Sequence, residues 1–281
     1  MIYRVRALAC LAALAIPLLL PSGASALESS WVDAANAKVR LLAGGTAGKD
    51  SAAPVRAGVE IRLARGWHTY WRYAGDAGIP PHFDWTGSDN LQKAEILWPA
   101  PARIPVEDGI ESIGYKDGVV FPLRLHAKDA SRPIALRLKL DFGVCEKICI
   151  PASAKLALDI SPSSGKSLPT LDAADARVPA KAQLGAAGEL SVLKGKLVRG
   201  QTPRVLVEVA VPPGKPFDLF AEGPDDAWAL PLPKYIDAEG GRARFAIPID
   251  GAPAGGSPMP SKLRLTLVAG SEAIEVTVPL D

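Results

Sequence analysis

From Ala37 onward, apolar and polar residues alternate in short runs. Lys38-Val39-Arg40-Leu41-Leu42, residues 56–63 and residues 134–140 change character at nearly every second position. That is the period of a strand with one face on a core and the other in water. Residues 119–126 and 154–160 repeat the habit, and turn formers such as Lys116-Asp117-Gly118 stand between the runs. Helical periodicity is nearly absent. The pattern predicts an all-β sandwich, whose strands bury alternate side chains.

Near Ser161 the composition changes to Ser-Pro-Ser-Ser-Gly-Lys-Ser, followed by an Ala-rich stretch, 170–177, that Thr170 is placed to cap as a short helix. Alternation resumes at 190–198, 204–211, 242–249, 262–268 and 273–278. The expected organisation is a first sandwich over 27–160, a linker with a small helix over 161–188, and a second, smaller sandwich over 189–281. The second part contains neither cysteine nor histidine, so a binding or spacer role suits it better than catalysis.

The amino terminus reads as an address. Arg4 and Arg6 precede an apolar stretch, 7–20, and Ala24-Ser25-Ala26 supplies small residues for cleavage, so 1–26 is expected to be a secretory signal peptide. Cys10 raises a lipoprotein alternative, but Ala7 stands where that signal has Leu and the apolar stretch before Cys10 is short. Removal of 1–26 takes Arg4 and Arg6 with it, and the formal charge of +2 falls to zero. No basic excess remains to attract nucleic acid or anionic lipid. At 22% charged and 48% hydrophobic the chain is not disordered, and a single apolar run excludes a polytopic membrane protein. The expectation is an exported, periplasmic protein that does not itself span the membrane.

With Cys10 gone, Cys145 and Cys149 are the only cysteines, in a compartment where disulfides persist. On a straight strand they would be about 13 Å apart, far beyond a disulfide's reach of roughly 4.4–6.8 Å between Cα atoms. The chain must therefore turn between them. Either a three-residue hairpin loop of Glu146-Lys147-Ile148 or one turn of helix brings them together. The enclosed ring is small, so the bond constrains the unfolded chain less than a long-range disulfide would. Such a pair on a surface loop suits thiol exchange. Its alternative is an inert structural disulfide. Lys147 favours a thiolate and Glu146 opposes it, so local charge does not choose the reacting sulfur. A copper site would need further ligands from afar, since Met1 and Met259 are the only methionines and no histidine is near in sequence.

Other motifs read as scaffold. Trp67, Tyr70 and Trp71 are expected to be core and corner packing, with His68 and His82 as satisfied polar edges. Gly75-Asp76-Ala77-Gly78 lacks the spacing of a phosphate loop and is read as a turn. No Gly-x-Ser-x-Gly elbow marks a hydrolase.

Together, Gly66-Trp67-His68-Thr69-Tyr70-Trp71, Gly75-Asp76-Ala77-Gly78-Ile79-Pro80-Pro81, Trp98-Pro99, Gly114-Tyr115, Val120-Phe121-Pro122-Leu123 and Val144-Cys145 with Cys149-Ile150-Pro151 resemble the amino-terminal periplasmic domain of the DsbD and ScsB thiol:disulfide reductases. The resemblance covers about 32–160 and is closer to the ScsB branch. It implies two immunoglobulin-like β-sandwich domains and thiol:disulfide interchange, with Cys145 and Cys149 as the catalytic pair and no organic cofactor or metal. The implied partners are a membrane-embedded thiol reductase, which supplies electrons, and periplasmic thioredoxin-fold proteins, which receive them. A chain ending at Asp281 would be a stand-alone exchange domain. The family's cap loop would fall near 106–113, with Ile110 or Ile113 shielding the sulfurs and Tyr115 close by. The competing expectation is a non-catalytic binding or chaperone-like β-sandwich module that keeps a structural disulfide and uses its strand edges.

Overall fold

The computed structural model describes residues 27–46, 53–106, 109–161, 168–255 and 257–280. The expected signal peptide lies outside these residues, as do Glu107 and Asp108 of the expected cap loop and 162–167 of the expected linker.

The first eleven strands are β1 (Val32–Ala34), β2 (Ala37–Thr46), β3 (Val55–Leu63), β4 (His68–Gly75), β5 (His82–Asp84), β6 (Leu91–Ile96), β7 (Ala102–Pro105), β8 (Glu111–Lys116), β9 (Gly118–Ala127), β10 (Ile134–Cys145) and β11 (Cys149–Ile160). They form two facing sheets, one ordered β1-β2-β3-β9-β6 and the other β11-β10-β4-β8-β7, with β5 also paired to β10. Between them lie Val39, Leu41, Val59, Ile61, Phe121, Leu123, Leu125 and the inward residues of β10. Burying each such side chain is worth about 1.5–3 kcal/mol relative to leaving it exposed.

The β10–β11 hairpin shows why the alternation was legible. Ile134, Leu136, Leu138, Leu140, Phe142 and Val144 point into the core, while β11 buries Ala152, Ala154, Leu156, Leu158 and Ile160 beside them. The register is unbroken from Ile134 opposite Ile160 to Cys145 opposite Cys149. Since side chains alternate, Cys145, next after Val144, projects from the outer face of the sheet.

The chain continues through helix α1 (Pro169–Asp175), then β12 (Ala180–Ala182), β13 (Ser191–Val198), β14 (Arg204–Ala210), β15 (Phe217–Glu222), β16 (Lys234–Glu239), β17 (Arg242–Pro248), β18 (Lys262–Ala269) and β19 (Glu272–Pro279). Two four-stranded sheets, β12-β19-β18-β15 and β13-β14-β17-β16, enclose a second core that includes Val207, Leu219, Phe245, Leu265 and Val276. The fold class is therefore all-β, two sandwiches with one small helix between them. Thr170 does not cap that helix. It begins one residue earlier at Pro169, which suits the first turn, and Leu168 occupies the cap without a side-chain hydrogen bond. Leu171 is buried against Gly44 and Gly58, and Arg56 reaches Asp172 at 2.5 Å and Asp175 at 2.8 Å, so α1 is fastened to the first sandwich.

The second sandwich packs on β4 and β7. Arg72 grips Glu222 through two hydrogen bonds of 2.8 and 2.7 Å and reaches Glu275 at 2.7 Å. Arg264 also pairs with Glu222, and Lys181 with Glu275. Arg103 holds Asp218 in two bonds of 3.0 Å, Trp71 packs on Phe220, and the Tyr73 hydroxyl donates to the carbonyl of Leu230. Burial, with Asp76 and Glu222 nearby, pushes the Tyr73 phenol up to about 12. Among the described residues no helix is long and apolar enough to cross a membrane.

Candidate functional site

Cys145 ends β10, Cys149 begins β11, and their disulfide closes at a Cα–Cα distance of 4.1 Å. Of the two turns the spacing allowed, the three-residue hairpin loop is the one formed. The strands on either side are already paired along their whole length, so the bond adds little. For so short a ring the chain-entropy estimate is about 2 kcal/mol, against roughly 4.7 for a 100-residue loop.

The two sulfurs occupy different surroundings. Cys145 is 1% exposed, whereas Cys149 and the turn residues Glu146, Lys147 and Ile148 are exposed, Ile148 at 75%. Cys145 clusters with Tyr70 and Ala74 on the outer face of the sheet. The hydroxyl of Tyr70 lies 3.0 Å from Cys149 Sγ. A disulfide sulfur has no hydrogen, so the phenol is the donor, and burial raises the Tyr70 pKa and keeps it protonated.

Strand pairing places Tyr70 there. The far edge of β10 pairs first with β5, from Lys139 to Asp141, and then with β4, where Val144 faces Thr69 and Cys145 faces His68. Tyr70, two residues beyond His68, shares its face. Its ring is held in a slot between two glycines. A Cβ on Gly78 would lie 2.3 Å from the ring and one on Gly143 would lie 2.8 Å from it. Gly78 also has φ of 152°, which L side chains rarely adopt. The amide of Gly143 donates to the carbonyl of Ile79 at 3.1 Å, which ties the segment after Gly75 back across Tyr70.

His68 departs from the polar edge expected of it. It is 4% exposed, its Nε2 has no hydrogen-bond partner, and its ring packs edge-on against Tyr70 at 5.5 Å. Burial and the neighbouring Lys116 lower its pKa, so the imidazole is neutral at pH 7. His82, by contrast, is exposed.

Three other expectations are corrected. Tyr70 is more than packing, because it touches a sulfur. Tyr115 faces the opposite side of the sheet, where its hydroxyl donates to the carbonyl of Pro99 at 2.9 Å and its ring packs on Phe121. Ile110 and Ile113 do not cover the cysteines. The β7–β8 loop joins the end of β8 at Glu111, whereas Lys116, at the other end and about 13 Å from Ser112 along the strand, is the residue that pairs with His68. Ile113 is instead fully buried in the core. Among the described residues, no group of three or more His, Cys, Asp or Glu side chains is arranged to hold a metal.

Residues 38–160 match the family model described as thiol:disulfide interchange protein DsbD, N-terminal. The fold is similar to the crystal structure of the N-terminal periplasmic domain of ScsB from Proteus mirabilis, with a TM-score of 0.69 and 22% sequence identity, over 90% of this chain and 98% of that one. No curated protein sequence matches the chain.

Proposed function

Because residues 38–160 form a domain of the DsbD amino-terminal family, we propose that this protein exchanges thiols and disulfides with other proteins of the periplasm through Cys145 and Cys149. The observation that carries the reading is the asymmetry of the pair, one sulfur enclosed and the other exposed beneath a tyrosine hydroxyl, in a ring too small to serve chiefly as a staple.

The asymmetry supports one order of attack. A partner thiolate reaches Cys149 Sγ, because Cys145 is enclosed. Attack forms a mixed disulfide at Cys149 and releases the Cys145 sulfur, which later attacks Cys149 to expel the partner. In the reduced protein Tyr70 donates to the Cys149 thiolate and favours the charged form. Partners of the implied kind are a membrane-embedded thiol reductase on one side and thioredoxin-fold proteins on the other, since both present a reactive thiol or disulfide to an exposed sulfur.

The test is the reduction potential of the pair, from free thiols counted after equilibration of the protein with glutathione buffers. A value of roughly −180 to −270 mV places the pair among exchange proteins, while a pair still oxidised below about −300 mV is a structural disulfide and leaves a binding module.

A further inference from the structure

The pairings of the β11-β10-β4-β8-β7 sheet put four side chains in one row. Cys149 faces Cys145, Cys145 faces His68, and His68 faces Lys116, across β11, β10, β4 and β8. Residues directly opposite on neighbouring strands share a face, with Cβ atoms about 4.5–5.5 Å apart. His68 is therefore the next side chain after the enclosed sulfur, on the side away from Cys149.

Four buried side-chain polar atoms lack a hydrogen-bond partner among the described residues: His68 Nε2, Trp71 Nε1, Ser191 Oγ and Thr266 Oγ1. Only His68 belongs to the cysteine row. An unsatisfied buried polar atom costs about 1–3 kcal/mol, so its retention beside a reactive group calls for a use. In the oxidised protein Cys145 Sγ is bonded to Cys149 and has no proton to offer. Reduction creates an S–H on the residue directly opposite His68, whose Nε2 has no other partner.

We propose that His68 is the proton acceptor for the Cys145 thiol in the resolving step of exchange, a role that rests on the exchange reading of the pair. In that step the Cys149 thiolate has attacked a partner disulfide, forming a Cys149–partner bond and releasing one partner sulfur as thiolate. Cys145 then passes its proton to His68 Nε2, and its sulfur electron pair attacks Cys149 Sγ. The Cys145–Cys149 bond forms, the mixed disulfide breaks, and the second partner sulfur leaves as thiolate. The imidazolium proton passes to that thiolate or to water. Two electrons have moved from the pair to the partner disulfide.

The surroundings suit an acceptor. The groups near His68 that titrate or carry charge include Lys116 on β8 and Asp117 just after it, whose amide donates to the carbonyl of Trp67, Cys145 at the end of β10 with Glu146 following, Cys149 on β11 and Tyr70 on β4; Glu146 reaches back toward Gly66, with Oε1 3.8 Å from the position of a Cβ there. The segment 77–81 that lies over Tyr70 carries no titratable side chain. Lys116 and burial both keep the resting imidazole neutral and able to accept.

The reduced full chain is mixed with oxidised glutathione, and formation and resolution of the glutathione mixed disulfide are followed between pH 5.5 and 9. His68→Phe, which keeps a ring against Tyr70, is expected to form the mixed disulfide at the wild-type rate. It should resolve it about 100-fold more slowly at pH 7, recovering as the pH approaches the thiol's own pKa. Wild-type exchange with an unchanged resolution rate and pH profile in His68→Phe overturns the role of His68 alone. A wild-type protein that forms no mixed disulfide overturns the exchange reading and this inference with it. A second measurement needs no core substitution. The imidazole proton resonances of His68 are titrated in both redox states of the wild-type protein, and His68 is expected to titrate at a different pH on reduction. Identical titration of His68 in both states overturns the proposal.

Discussion

The hydroxyl of Tyr70 donates to Cys149 Sγ at 3.0 Å, across 79 residues of sequence. Strand β4, on the far side of β10 from Cys149, thus supplies the exposed sulfur with a hydrogen-bond donor that the cysteine segment itself lacks. A thiolate accepts this bond more strongly than a disulfide sulfur does, so the contact favours the reduced, charged form.

Replacing Tyr70 with Phe removes the donor and keeps the ring. In a Cys145→Ser background, Tyr70→Phe is expected to raise the Cys149 pKa by about one unit, equivalent to about 1.4 kcal/mol. The pH dependence of alkylation by iodoacetamide reads the shift. An unchanged profile would show that the hydroxyl does not act on the thiolate.

The slot that holds Tyr70 depends on absent side chains. Gly143→Ala places a methyl 2.8 Å from the ring and 2.9 Å from Ile79 Cβ, a contact that cannot persist. Destabilisation of about 1–3 kcal/mol is expected, as for other overpacked sites. The urea midpoint of the oxidised protein measures it, and the near-ultraviolet circular dichroism of the displaced tyrosine should change in parallel.

Docking of the two sandwiches turns on Arg72. Arg72→Met leaves Glu222 and Glu275 in a largely buried interface with one cation fewer. The expected cost is about 3 kcal/mol, the lower end for a broken buried pair, because Arg264 and Lys181 still reach the two glutamates. Burial opposes ionisation of Glu275, but Lys181 and Arg72 prevail and hold its carboxyl below the usual 4.5. Its contribution is therefore fully present above about pH 4.5 and lost as the pH falls through the lower folded value. Urea midpoints between pH 7 and pH 3 should fall steeply on the acid side in the wild type and less steeply in Arg72→Met. Parallel acid limbs would remove Arg72 from that dependence.

Much of the scaffold was legible in the sequence because its cause is local. Residues 134–140 and 154–160 alternate with period two, and that alternation became the inner face of the β10–β11 hairpin. Phe217–Glu222 did not announce itself, because β15 ends in four consecutive buried residues and the face that carries Asp218, Phe220 and Glu222 is covered by the first sandwich rather than by water. Thr170 looked like a helix cap by residue type, yet Pro169 can occupy the first turn and the helix starts there.

The cysteine spacing determined that the chain must turn between Cys145 and Cys149, since no straight strand lets the sulfurs meet. It did not determine what surrounds them. Tyr70 and His68 sit in a run of aromatic and polar residues whose types suit core packing equally well, while Tyr115 and Ile113 were no less plausible neighbours. The choice fell to the pairing of β4 with β10 and β8. One step of register along a strand moves a side chain to the other face of the sheet. That register is fixed by packing the inner faces of both sheets together, a condition that no short stretch of sequence contains.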